Sequence, residues 1–274
     1  MSVIAISAWS HCHGEEIARR VARKLNFRSL GPELLGEVAD RWQLPLPKLV
    51  AALGKQQTLL GVTPRERRRL LAYLEAAVLE KLAQDKVVTW GLGAHFYVMG
   101  VSHVLKVRLV LDWEARVRAM MEEGGMNEAA AAKALKKEDE ARARMAHEIY
   151  RKQEDDPTLY DLTINLMQID IEQAVEIVAE AVQHKRFKPM TFSRKLMKDQ
   201  VLATQVKAEL FSRHPDAQVS ADGGQVLVTV PAVRRDQEKK ISAVRDLARK
   251  VKGVASLKVE VVNDFLEEAA ESMR

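Results

Sequence analysis

Residues 3–25 read VIAISAWSHCHGEEIARRVARKL, and this stretch decides the fold. Val3–Ser7 is a short apolar run that opens the chain as a strand. Glu16–Leu25 follows with Ile17, Val21 and Leu25 at four-residue spacing, so one face of a helix is apolar. Between them lies a loop of mostly small residues, Ser7-Ala8-Trp9-Ser10-His11-Cys12-His13-Gly14-Glu15. A strand, such a loop and a helix in immediate succession can hold phosphate on backbone N–H groups and the helix N-terminus, with a lysine to neutralise it. The loop has no GxxxxGK[ST] pattern and no lysine.

Outward from this stretch the chain keeps alternating. Pro64 in the first turn and Thr63 as cap start a helix running to about Gln84. Lys86–Trp90 is a strand closed by Gly91 and Gly93, and His103–Leu111 is another. Helices follow at Trp113–Glu122 and Asn127–Arg151, the latter rich in Ala, Lys and Glu over Glu128–Arg144. Leu162–Leu166 is a fourth strand and Ile171–His184 its helix. Strands and helices alternating at these lengths predict an α/β fold with a parallel sheet and flanking helices. Ligands of such sheets lie beyond the carboxyl ends of the strands.

The rest of the chain reads differently. Lys198–Ser212 is helical, two short strands flank Asp222-Gly223-Gly224, Arg235–Lys252 is helical and Leu257–Val262 alternates. This predicts a small α+β unit ordered helix, hairpin, helix, strand. Charge follows the same division. Of 43 Lys and Arg and 38 Asp and Glu in 274 residues, 17 and 12 fall in 186–274, so 1–185 is neutral and the whole excess of +5 sits in the C-terminal part. The border, HKRFKPMTFSRKLMK from His184 to Lys198, has six basic residues and no acid, and reads as a basic linker over 184–197. It can be a solvated connector or a contact for an anionic surface. The expected division is 1–183, 184–197 and 198–265.

One cysteine rules out an internal disulfide framework and a multi-cysteine zinc site. His and Glu follow the start too closely for a signal peptide, and no apolar run of about 18 residues exists, so a soluble cytoplasmic protein is expected. No transmembrane segment is expected.

Five segments together resemble the cytidylate-kinase-like family of P-loop nucleotide kinases. They are the opening stretch, Trp90-Gly91-Leu92-Gly93-Ala94 for a strand ending in GRGA, HVLKVRLVLDWEARV, the lid-like KKEDEARAR, and LYDLTINL. The resemblance covers about the first 183 residues and implies ATP-dependent phosphorylation of a nucleoside monophosphate such as CMP, with magnesium. It implies cofactor contacts at Ser7, Ser10, His11, Cys12, His13, Gly14, Glu15 and Glu16. Substrate contacts would fall at Gly91, Leu92, Gly93, Asp161 and Asn165. Catalytic positions would be Arg142, Arg116 and Asp139.

The departures fall where the chemistry would occur. His11 and His13 replace two loop glycines, Glu15 follows Gly14 where a basic or polar residue is usual, Leu92 replaces the GRGA arginine, and Ala8 replaces another arginine. A carboxylate facing a triphosphate is repulsive. These departures favour a degenerate phosphate loop and a nucleotide- or ligand-binding or scaffolding pseudokinase; an active CMP kinase is the alternative. Several residues carry two readings. Arg142 is a phosphoryl-stabilising lid arginine or a solvated helix residue; Arg116 is a phosphate contact or a surface salt bridge. Asp161 and Asn165 line the nucleotide end of the sheet or cap its strand, and Asp139 is a magnesium ligand or an exposed carboxylate. His11, Cys12 and His13 are unsuited by adjacency to converge on one metal, and no metal site is expected. Cys12 at a helix N-terminus is a candidate reactive thiol.

ADGGQVLVTV and VKGVASLKVEVV resemble the strand and ending of a BON domain, a module associated with phospholipid or membrane surfaces. The resemblance implies an anionic lipid or a protein as partner of the C-terminal unit, by which the chain would act as a docking protein. Arg234, Arg235, Lys239 and Lys240 at one end of its helix and Arg249, Lys250 and Lys252 at the other supply cations. No GxxG clamp or aromatic stripe for RNA is present, so nucleic acid is an unlikely partner.

Overall fold

The computed structural model describes residues 2–53, 62–232 and 236–263. Strand β1 (Val3–Ala8) is the centre of a five-stranded parallel sheet. The sheet also contains β2 (Arg28–Leu30), β3 (Val87–Trp90), β4 (Val104–Val110) and β5 (Leu162–Asn165), in the order β2-β3-β1-β4-β5. Helix α1 (Gly14–Leu25) follows the loop after β1, and α2 (Leu34–Trp42), α3 (Leu46–Ala52) and α4 (Pro64–Leu82) lie between β2 and β3. After β3 comes the single turn α5 (Ala94–Tyr97); α6 (Trp113–Gly124) and α7 (Glu128–Met145) lie between β4 and β5, and α8 (Ile171–Ala181) follows β5. The predicted strands and helices of this part are all present, and Thr63 caps α4 by accepting from Glu66 N.

Side chains alternate across β1 and so feed two cores. Ile4 and Ile6 pack with Ile17 and Val21 of α1 and with Val175 and Val178 of α8. Val3 and Ala5 face the other way, toward Leu70, Leu74 and Val78 of α4. Arg20–Glu172 (3.0 Å) and Lys24–Glu176 (2.5 Å) fasten α1 to α8 at the surface. The register pairs Ser7 with Arg108 on β4, so two polar residues stand side by side at the top of the second face.

The sequence pattern passes over β2, α2, α3 and α5. β2 has three residues and α5 four, too few for a periodic signal. Helix α7 ends at Met145, not Arg151 as expected. One π-helical turn, Ala146–Tyr150, continues it, and Arg151 then adopts φ 54° and reverses the chain.

The C-terminal unit has the predicted order. Helix α9 (Thr191–Phe211) is followed by β6 (Gln218–Asp222) and β7 (Gln225–Ala232), then α10 (Gln237–Ala248) and β8 (Ser256–Asn263). β6 and β7 form a hairpin around Gly223 (φ 57°) and Gly224 (φ 87°), the two left-handed positions its tight turn needs. β8 pairs parallel to β7. Arg234, Arg235 and the end of the unit at 265 lie outside the described residues.

The stretch expected to be a linker is different from its reading. A 3₁₀ turn, Lys185–Phe187, is followed by α9, which starts at Thr191, seven residues before the predicted Lys198. Its first turn has no apolar periodicity because Ser193 and Met197 are buried while Phe192 and Lys195 are exposed. Helix α9 is shared by two cores. Met197 and Ala208 pack with the α4 side of the parallel sheet, and Leu202, Val206 and Leu210 pack with β7 and α10. A helix common to both cores couples their unfolding. Calorimetry of the wild type should therefore give one transition. Ala208→Glu, which puts a charge between α4 and α9, should lower the first melting event and separate it from a second; a single unshifted transition would contradict the coupling.

Candidate active site

Above the carboxyl end of β1 the loop Trp9–His13 turns into α1 with Cys12 N donating to Trp9 O (3.2 Å). His11 (φ 61°) and His13 (φ 50°) hold left-handed conformations that favour glycine. The backbone course that glycines would allow is thus retained with imidazoles in their place, at roughly 1 kcal/mol each or more. Gly14 remains necessary, since a Cβ there would lie 2.7 Å from Ala8 Cβ. His11, Glu15 and Glu16, at the loop and helix start, each have a partner within the chain. His11 Nδ1 lies 3.3 Å from Glu123, Glu15 pairs with Arg19 (2.8 Å) and Glu16 with Arg20 (2.6 Å). Glu15 and Glu16 still line the cleft over the loop, each with an arginine partner that offsets its charge. His13 has only a 3.9 Å approach to Glu16.

Cys12 corrects another expectation. Its side chain is buried, its Sγ approaches Ser10 O at 3.9 Å, and burial pushes the thiol up despite Arg116 and Arg108 nearby. It is not an activated thiol. Among the described residues no three His, Cys, Asp or Glu side chains converge as metal ligands.

The predicted catalytic residues are present but occupied. Arg116 forms a two-pronged ion pair with Asp139, 2.9 and 2.7 Å, and its Nε donates to Ser10 O (3.0 Å). Arg116 and Asp139 are largely buried, so neither the exposed carboxylate nor the surface salt bridge describes them. They tie α6, α7 and the loop together. Arg142 is likewise no solvated helix residue. It donates to Ala8 O, to Ser7 Oγ (3.2 Å), and through Nε and Nη2 to both oxygens of Glu154 (2.6 Å for Nε).

Glu154 and Arg108 are the residues the sequence reading missed. Glu154 is 4% exposed and Arg108 5%. Arg108 Nη1 donates to Ser7 Oγ (2.8 Å) and to Glu154 Oε1 (3.3 Å), Ser7 Oγ donates to the same oxygen (2.9 Å), and Tyr160 Oη donates to Glu154 O (2.8 Å). A signal for Arg108 exists: Lys106 and Arg108 alternate with Leu105, Val107 and Leu109 in an otherwise apolar run, which marks a polar site on one sheet face. Glu154 lies in an irregular turn and carries no such signal.

On the other side His95 Nε2 stands 3.8 Å from Glu154 Oε1, with its ring over Phe96 and Tyr160. Burial pushes His95 down to about 3, against the pull of Glu154. Burial alone would raise Glu154, but Arg142 and then Arg108 outweigh it and hold the carboxyl at about 2.

Of the expected substrate contacts, Gly91 and Gly93 take positive φ at the mouth of the cleft. Leu92 is fully buried in the α4-side core and reaches no ligand. Asp161 Oδ2 accepts from Lys106 N (2.9 Å) and Nζ (2.8 Å), and Asn165 Oδ1 accepts from Met167 N (3.1 Å); both organise strand ends. Two spaces remain. A cleft of about 650 Å³ runs over the loop past Trp9, His11, His13, Arg19, Trp90 and Arg142. A cavity of about 40 Å³ lies between Leu53, Gly91, Gly93, Phe96 and Glu154.

Both His95 and Glu154 have folded values below their unfolded ones of 6.5 and 4.5. Each contributes stability that is complete above the unfolded value and is lost as pH falls below it. Melting temperature should be flat near neutrality and drop below about pH 6.5, more steeply below 4.5. His95→Gln should flatten the upper part of that drop; an unchanged profile would show that His95 does not cause it.

Comparison with known proteins gives a family match and several structural neighbours. A family model described as "Cytidylate kinase-like family" matches residues 3–168. A solved structure of an uncharacterized protein from Eubacterium ventriosum superposes with TM-score 0.52 at 18% identity, covering 68% of this chain and all of that one. The shikimate kinase of Bacteroides thetaiotaomicron aligns with TM-score 0.42 at 16% identity, covering 67% of this chain and 99% of its own. A curated uronate isomerase of Corynebacterium glutamicum is 34% identical over 109 residues, 39% of this chain but only about a fifth (21%) of that protein's length. The family match spans well over half the chain, on the same sheet and loop that carry the site, and the chain belongs to the cytidylate kinase-like family.

Proposed function

We propose that the kinase-fold part is catalytically silent: a nucleotide- or ligand-binding scaffold whose phosphate-contacting arginines are neutralised from within. The observation that carries this reading is Glu154, buried between Arg142 and Arg108 beside Ser7. An arginine that stabilises a transferring phosphoryl group must be free to meet the developing charge. Arg142 instead satisfies an internal carboxylate and a loop carbonyl.

The residues present do not fit magnesium-bound ATP as the resemblance implies. The loop has no lysine, imidazoles stand at its left-handed positions, and Asp139 is held by Arg116 rather than open to a cation. The acceptor side, about 40 Å³ beside Gly91 and Gly93, has room for a water or so and not for a nucleoside monophosphate. The cleft over the loop is of ligand size. It supports binding without turnover, and active CMP phosphorylation is the reading it competes with. The C-terminal unit, BON-like in sequence, is read as a docking part for an anionic lipid or protein partner, joined through α9 and acting in the cytoplasm.

The test is ADP release by the full chain with ATP, magnesium and CMP, alongside melting with each nucleotide. The expected result is a nucleotide-dependent rise in melting temperature with no ADP above the protein-free control. Sustained, CMP-dependent ADP release would overturn the silent reading, and no melting shift would leave only the scaffold.

A further inference from the structure

The two most exposed large apolar side chains among the described residues are neighbours in sequence, Phe192 (74%) and Met190 (61%). Large exposed apolar groups two residues apart at one end of a helix mark an interaction site more than scattered ones do. They stand where the chain enters α9, and they are held there rigidly. Phe187 packs against the α1–α8 core, Ser2 Oγ donates to Phe187 O (2.6 Å), and Met197 is buried in the α4-side core. The segment between these anchors is therefore a fixed projection.

Its charge is one-sided. Lys185, Arg186, Lys188, Arg194, Lys195 and Lys198 are all exposed, and no acid occurs between His184 and Lys198. Arg194 approaches Asp85 (3.6 Å), and Lys195 pairs with Asp199 (3.0 Å) and Asp222. Lys185, Arg186, Lys188 and Lys198 make no ion pair among the described residues. Behind the projection a hollow of about 650 Å³ opens between α9 and the Gly223–Gly224 turn. Arg194, Lys195, Lys198 and Lys252 line it; its one acid, Asp199, is already bound to Lys195 and to Gly223 N (2.8 Å).

We propose that this face docks on an anionic phospholipid bilayer: Phe192 and Met190 enter the headgroup–acyl boundary, and the surrounding cations meet lipid phosphates. Unpaired cations around protruding apolar side chains match the two layers of such a surface, and each cation near it adds attraction that salt weakens. A protein groove would take the apolar pair but leaves four cations on both flanks without assigned partners. The inference rests on reading the C-terminal part as a docking unit, not on whether the kinase-fold part turns over nucleotide, and it places lipid contact at 184–198 and Lys252 instead of on α10.

The test is sedimentation of the full chain with vesicles of phosphatidylcholine alone and of phosphatidylcholine with phosphatidylserine. Binding should need phosphatidylserine and should fall at high salt. Met190→Gln with Phe192→Gln should weaken partitioning about tenfold or more with little change in melting temperature, because both side chains are largely exposed to water. Lys185→Gln, Arg186→Gln and Lys188→Gln together should weaken it about a hundredfold. Lys239→Gln with Lys240→Gln on α10 should have little effect. Absence of binding, equal binding to neutral vesicles, or loss only in the α10 variant would each overturn the proposal.

Discussion

The site depends on one buried carboxylate. Glu154 is the anion around which Arg142, Arg108, Ser7 and His95 are arranged, and those residues come from α7, β4, β1 and α5. Two guanidinium groups in a largely water-free place would repel each other and lack acceptors; one carboxylate with several donors resolves both problems. The arginines keep Glu154 ionised, while burial keeps His95 neutral across the neutral range against the pull of Glu154. The π-helical turn after α7 and the left-handed Arg151 are the backbone devices that bring Glu154 back to Arg142, twelve residues earlier. Tyr150, carried on that turn, stacks on Phe96 and donates to Tyr97 Oη (3.1 Å), which fixes the turn against α5.

The same logic acts at the loop. Arg116 is satisfied by Asp139 and by Ser10 O, so α7 and the loop are joined through side chains of the chain itself. Trp9 lies between Arg108 and Arg116, with their guanidinium carbons 5.2 and 5.0 Å from its ring, so even the loop aromatic is engaged by the charges that a phosphate would otherwise meet. Arg108, Arg116 and Arg142 all find their partners among groups of the same chain.

The sheet and its helices were legible because they rest on periodicity and punctuation. Val3–Ser7, the Thr63-Pro64 cap and the Asp222-Gly223-Gly224 hairpin each combine a local signal with a tertiary role that agrees with it. Arg142, Arg116 and Asp139 were singled out by the family resemblance, and all three lie next to the loop after β1. Their partners were not legible, since an ion pair across α7 and an irregular turn leaves no period in sequence. Leu92 shows the same limit: it sits in a motif-like stretch, and only its burial shows that it packs in the core. The start of α9 was hidden because its first turn presents Phe192 and basic residues to solvent and only Ser193 and Met197 inward.

The central claim is that Glu154 serves as an internal anion in a place shaped for one. Thermal unfolding of Glu154→Ala with increasing inorganic phosphate tests it most directly. The account predicts a variant less stable than wild type by about 3–5 kcal/mol, which regains stability as phosphate is added, while the wild type gains little. A variant as stable as wild type, or one no more responsive to phosphate, would contradict it.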